Sequence, residues 1–181
     1  MRFFDILRSK KRKLARANAI YLAAVQQSRH PLFYTDYGVP DTVDGRFDMI
    51  VAHVMLIIRR LRGEGGEAAD MSQLVLNLMF DDMDRNFREM GIGDMSIGKH
   101  VKKPAKAFYG RADIIETGLE SGQDELCNAL LETVFRSTRH AEDSGKKLAS
   151  YLINVDAYLK GQAGEFLLQG DVSFTPRVSA Q

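Results

Sequence analysis

Residues 43–61 read VDGRFDMIVAHVMLIIRRL, and their apolar pattern decides the fold. Val43, Phe47, Ile50, Val51, Val54, Ile57, Ile58 and Leu61 recur at three- and four-residue spacings, the period that lines up one side of an α-helix. Met49, Ala52 and Leu56 put apolar groups on its other side as well. A helix apolar on two sides is either central in a core or covered by a partner. Arg46, His53 and Arg60 stand seven residues apart and form a basic line beside the apolar side, a candidate binding surface.

Working outward, the preceding segment 29–42, RHPLFYTDYGVPDT, is an aromatic connector. Pro31 stops an earlier helix, expected over about 14–28 with Ala15, Ala19, Leu22 and Ala23 as apolar spacers. Gly38, Pro40 and Asp41 carry turn chemistry, and Asp41 or Thr42 can cap the helix that follows. Downstream, Gly63, Gly65 and Gly66 break the chain before a third helix, expected over 71–88 with Asp70 as its cap. Its stripe is Leu76, Met79, Phe80, Met83 and Phe87.

Gly91 and Gly93 end that helix, and Asp94 or Ser96 starts another carrying Val101, Ala105, Phe108, Ala112 and Ile115, with Pro104 near its start or at a kink. Two further helices are read from about Gln123 (Leu126, Leu130, Val134) and over about 140–160 (Leu148, Tyr151, Leu152, Val155, Leu159). A short apolar patch at 166–168 precedes a polar tail. No convincing alternating strand pattern appears. The expectation is an all-α, single-domain bundle of about six to seven helices with mobile termini. Its parts are a basic segment at 1–13, a helical domain at 14–172 and a flexible tail at 173–181.

A chain of 181 residues is long enough to bury one core. Its net charge of +1 gives no global attraction to nucleic acid, but the charge is unevenly placed. Within the first 16 residues Arg2, Arg8, Lys10, Lys11, Arg12, Lys13 and Arg16 face the single acid Asp5. Together with Phe3, Phe4, Ile6 and Leu7 they suit an anionic membrane surface; alone they suit RNA phosphates. A second basic patch comprises Lys99, Lys102, Lys103 and Lys106, with His100 and Arg111 beside it. The apolar run 3–7 is too short for a secretory signal, so no cleaved leader is expected. No window reaches 18 uninterrupted apolar residues, so no membrane span is expected. Cys127 is the only cysteine, which excludes an internal disulfide; it reads as a small core residue.

Motifs for catalysis are missing. There is no phosphate-binding or dinucleotide glycine pattern, no histidine pair at zinc spacing and no nucleophile elbow. Asp81, Asp82 and Asp84, with Glu89 and Asp94, suggest hard-cation ligands at first sight. On a helix these acids do not converge, and Arg85 and Arg88 are interleaved with them. No catalytic residue, metal site or cofactor is assigned. A metal-dependent enzyme stays as the third reading, behind a binding protein and a ribosome- or RNA-contacting adaptor.

Three blocks of residues carry a family likeness. The first is Arg29, Pro31, Phe33, Tyr34, Gly38, Val39, Pro40, Asp41, Thr42, Asp44, Gly45, Arg46, Phe47 and Asp48. The second is Phe80, Asp82, Met83, Asp84, Arg88, Glu89, Met90, Gly91, Gly93 and Asp94, and the third is Phe108, Tyr109, Gly110 and Arg111. In this order, over about 21–118, they resemble the ubiquinol-cytochrome c chaperone family. The C-terminal third offers no matching motif. The resemblance implies a helical, non-enzymatic assembly factor. Mitochondrial members are chaperones of cytochrome b of the respiratory bc1 complex and act near membrane-bound ribosomes. With no cleaved leader expected, a bacterial-type member in the cytoplasm, peripheral at the inner face of the membrane, is the simpler assignment, and the resemblance implies that it binds apocytochrome b or another hydrophobic membrane-protein client. Tyr34, Tyr37, Arg46, His53 and Arg60 are then the candidate client contacts.

Overall fold

In the computed structural model, which describes residues 2–89 and 102–174, Thr42 starts the central helix by accepting a hydrogen bond from the Gly45 amide at 3.1 Å. Thr42 is thus the cap, an extended residue whose hydroxyl satisfies one of the amides a helix start leaves open. Gly45 is required here, because a Cβ would lie 2.1 Å from the Pro40 carbonyl oxygen. The connector itself turns at Gly38, where φ is +69°.

The described helices in chain order are α1 (Arg2–Ser28), α2 (Leu32–Thr35), α3 (Val43–Leu61), α4 (Gly66–Glu89), α5 (Lys102–Ser121), α6 (Gln123–Glu132), α7 (Glu142–Gly161) and α8 (Gly164–Gln169). No strand occurs among the described residues, and the chain is all-α. α3 lies against α1, α4, α5, α7 and α8. Its middle is therefore buried on both sides: Met49, Val51, Ala52, Val54, Leu56 and Ile57 have no solvent exposure, Phe47, Ile50 and Ile58 are half-buried, and Val43 in the first turn is exposed. Of the two options for a two-sided apolar helix, the fold takes the first. Each fully buried Ile, Leu, Val or Met contributes about 1.5–3 kcal/mol relative to exposure, so α3 alone organises much of the core. α6 packs between α5 and α7 as the middle arm of a C-terminal helical layer.

Several boundaries differ from the sequence reading. α1 begins at Arg2 rather than near Leu14, so the basic segment is the first half of a helix. Nothing between residues 2 and 28 breaks a helix, and Lys, Arg, Leu and Ala favour one. α4 begins at Gly66, which places Asp70 inside the helix instead of at its cap; its carboxylate holds Lys13 at 2.6 Å. The connector contains the single-turn α2. Pro104 falls in the first turn of α5, where proline is tolerated. The expected helix start at Asp94 or Ser96, and Gly91, Gly93, Lys99 and His100, lie outside the described residues. At the start of the expected tail, Ser173 is held by Gln162, whose side-chain amide donates to its carbonyl at 2.8 Å, and Phe174 is buried.

Candidate functional site

Asp48, one turn into α3, is 1% exposed. A carboxylate this deep in an apolar helix requires cations, and it has two. Arg111 of α5 pairs with one oxygen, and Arg136 of the segment joining α6 to α7 pairs with the other at 2.5 Å. Arg136 also reaches Asp44 at 2.8 Å and the Thr133 carbonyl at 2.5 Å. The Arg111 guanidinium sits 4.8 Å from the centre of the Phe47 ring. Burial pushes the Asp48 carboxyl up from the ordinary carboxylate range, and the two guanidiniums oppose it. The pairing ties α3 to α5 and to the C-terminal layer, and leaves neither arginine without a carboxylate.

A second buried cluster surrounds His53, which has no solvent exposure. Its Nδ1 lies 2.8 Å from the Met49 carbonyl oxygen, an obligate acceptor, so Nδ1 carries the proton. Nε2 then accepts from the Tyr151 hydroxyl at 3.0 Å, and that hydroxyl accepts from Gln27 at 2.9 Å. Phe33 stands edge-on to both rings, with centroids 5.6 Å from His53 and 4.9 Å from Tyr151, while Phe174 covers His53 at 5.4 Å. Desolvation lowers the imidazole pKa from 6.5 to about 4, partly offset by the Met49 bond, so His53 is neutral near pH 7. Burial likewise raises the Tyr151 phenol.

These contacts change the reading of the basic line on α3. His53 is core and is not on a surface with Arg46 and Arg60. A seven-residue spacing puts three residues on one side of a helix, but α7 covers the middle of that side. Arg60 is also engaged: it donates to the Leu159 carbonyl at 2.9 Å and the Gln162 carbonyl at 2.6 Å, and pairs with Glu64 at 2.5 Å. A cation on the last carbonyls of α7 is a C-terminal cap. Arg46 alone of the three stays exposed, paired with Asp41 at 2.6 Å and 5.9 Å above the Tyr34 ring. Tyr34 is half-buried and donates to the Ser28 carbonyl at 2.9 Å; Tyr37 is half-buried beside Phe33.

The family blocks converge. Asp48 and Phe47 of the first meet Arg111 of the third, and Phe80 of the second stacks edge-on with Phe108 of the third at 5.9 Å. Asp82 accepts from the Tyr21 hydroxyl at 2.9 Å, Asp84 pairs with Arg88 at 2.6 Å, and Glu89 is exposed. Among the described residues no group of side chains is arranged to hold a metal ion, and Asp81, Asp82 and Asp84 do not form one. Cys127 is buried, and burial raises its thiol.

In the third block Phe108 and Arg111 point inward, but Tyr109 is 55% exposed and Gly110 is exposed in mid-helix, where a Cβ would meet nothing within 4 Å. Packing accounts for two of the four residues and leaves Tyr109 and Gly110 unexplained. Arg136 was missed at the sequence level because it lies in an aperiodic segment. The one signal for it was Asp48, an acid at an apolar helix position. Arg8, Lys10, Lys11, Arg12 and Lys106 are exposed, and Lys13 pairs with Asp70; Lys102 and Lys103 lie in the first turn of α5.

The family model described as ubiquinol-cytochrome C chaperone matches residues 35–174. The chain belongs to the ubiquinol-cytochrome c chaperone family. The match runs well past Gly118 into the C-terminal third, where no motif was recognised from sequence, and takes in Arg136, Tyr151 and Phe174. Ubiquinol-cytochrome c reductase complex assembly factor 1 of Homo sapiens is 28% identical over 162 residues, and that of Mus musculus 26% over 160. Each alignment covers 88% of this chain and 54% of the relative, so the chain spans about half the length of these mammalian proteins. The crystal structure of the Cbp3 homologue from Brucella abortus superimposes with a TM-score of 0.87 at 30% identity, covering 97% of both chains. The two mammalian relatives are named as assembly factors, and the family is one of chaperones for ubiquinol-cytochrome c reductase assembly. No helix among the described residues is long and apolar enough to cross a membrane.

Proposed function

We propose that this chain is a non-enzymatic chaperone that holds newly made cytochrome b of the bc1 complex, working at the inner face of the cytoplasmic membrane. The family match over 35–174 carries the reading. The structure is compatible with it: the buried ionisable groups Asp48 and His53 are held by internal partners rather than presented to a substrate. Client contact is assigned to exposed Arg46, to the outer edges of the connector residues Tyr34 and Tyr37, and to the Tyr109–Gly110 face of α5 that packing leaves unexplained. Deleting the gene should lower assembled bc1 complex. A photo-crosslinker at position 109 should capture cytochrome b, while one at buried position 126 should not. Normal levels of haem-loaded cytochrome b in the deletion strain would sink the proposal.

The second reading, a ribosome- or RNA-contacting adaptor, draws on the exposed cations of α1 and on Lys106. Ribosome association would then weaken steeply with salt, as counterion release demands. Ribosome association that survives replacing these residues with glutamine would remove this reading.

A further inference from the structure

α1 is about 40 Å long at 1.5 Å per residue, yet only its second half is built into the body. Ala17, Ile20, Tyr21 and Ala24 are buried, whereas every residue from Asp5 to Arg12 is exposed. The exposed half is not uniformly polar. Leu7, Leu14 and Leu22 are 47%, 48% and 54% exposed, and spacings of seven and eight residues keep them within one stripe about 80° wide, a leucine line. That line is displaced sideways from the core-facing line of Ala17, Ile20 and Ala24, so the body does not cover it. Ile6, 53% exposed, extends the apolar surface beyond the body.

The cations are arranged around this line. By helical periodicity Arg8 and Arg12 fall on one flank and Lys10 on the other, with Lys11 within it. None of the four forms an ion pair with a described residue, in contrast to Lys13, which holds Asp70. Asp5 is the only acid in the first 16 residues. Long basic side chains flanking a leucine line can extend toward phosphates while their stems and the leucines enter the acyl boundary. RNA would use the charge but not the leucines.

We infer that the first half of α1 with Leu22 is an in-plane docking helix for an anionic lipid bilayer, which Leu7, Leu14 and Leu22 enter while Arg8, Lys10, Lys11 and Arg12 contact lipid phosphates. This deepens the membrane-side placement proposed above and rests on it, but not on the identity of the client. The full chain tests it by co-sedimentation with phosphatidylcholine vesicles containing 30% phosphatidylglycerol, and with pure phosphatidylcholine, at about 0.15 M salt. Binding should be at least tenfold stronger to the anionic vesicles. It should fall at least tenfold in the variant Leu7→Ser, Leu14→Ser, Leu22→Ser and in the variant Arg8→Gln, Lys11→Gln, Arg12→Gln. Both variants change exposed positions and should keep the wild-type helical circular dichroism and melting temperature. Wild-type protein that ignores anionic vesicles overturns the inference, as does a leucine variant that binds them undiminished. So does tight binding to a homopolymeric RNA, lost with the charges but indifferent to the leucines, when vesicle binding is absent. Crosslinking of cytochrome b in detergent is scored separately, so docking and client binding can fail independently.

Discussion

α3 and the first half of α1 are both rich in cations and leucine-like residues, and the fold uses them in opposite ways. On α3, Arg59 meets Glu116 at 3.0 Å, Glu120 at 2.9 Å and Asp156 at 3.3 Å, and Arg60 caps α7. Arg62 grips Glu116, and the pairing with Arg62 and Arg59 holds that carboxyl below its usual range. On α1, Arg8, Lys10, Lys11 and Arg12 have no such partners among the described residues, and its leucines face outward. Where cations are neutralised internally they define the fold. Where they are not, the fold does not account for them.

The comparison breaks if changes on the α3 side are harmless. The largest effect is expected at Phe33, which has no exposure and stands edge-on to His53, Tyr37 and Tyr151. Phe33→Ala should cost about 4 kcal/mol in urea unfolding, the usual range for emptying a buried aromatic site. Next is Arg111→Met, which leaves Asp48 with one cation and removes the contact with Phe47. The expected loss is about 3 kcal/mol, and Asp48→Asn in the same chain should recover part of it, because the uncompensated charge is then gone.

How far this division could be read from sequence depends on the range of the signal. α3 was legible to the residue, since periodicity over 19 positions is a local property. The starts of α6 and α7 were placed within two residues by the same signal, whereas the six-residue α8 was read only as an apolar patch. The burial of His53 was not legible, because its seven-residue spacing from Arg46 and Arg60 says only that the three share a side, and what covers that side is tertiary. Arg136 was hidden for a related reason: its partners Asp44 and Asp48 lie about ninety residues away in an unrelated pattern. Of the candidate site, the convergence of the three blocks needed the fold, while the exposed cations of α1 were visible from composition alone.

His53 sharpens the comparison through pH. Its folded-state pKa of about 4 lies below the ordinary 6.5, so the unfolded chain takes up the proton first. The neutral-histidine contribution is therefore fully present above about pH 6.5 and is lost as the pH falls toward 4, amounting to about 3 kcal/mol across that window. Unfolding free energies measured between pH 7 and 4.5 should decline more steeply in wild type than in His53→Gln. Equal slopes would mean that the imidazole is reached by water and that α7 does not seal this side of α3.

The smallest expected stability change is at Gly110, and its sign is what matters. A glycine in the middle of a helix costs about 1 kcal/mol relative to alanine, and here a new Cβ meets nothing within 4 Å. Gly110→Ala should therefore stabilise the isolated chain by up to about 1 kcal/mol. If the residue served only the fold, the variant would be an improvement in every assay. If a partner backbone approaches α5 there, the same methyl group should lower bc1 assembly in cells and the yield of the position-109 crosslink, even as the melting temperature rises. Tyr109→Ala supplies the control, since it changes the same exposed face without touching the helix backbone. Opposite movements of stability and assembly in Gly110→Ala would place Gly110 with the exposed half of α1, among the parts of the chain that folding alone does not explain.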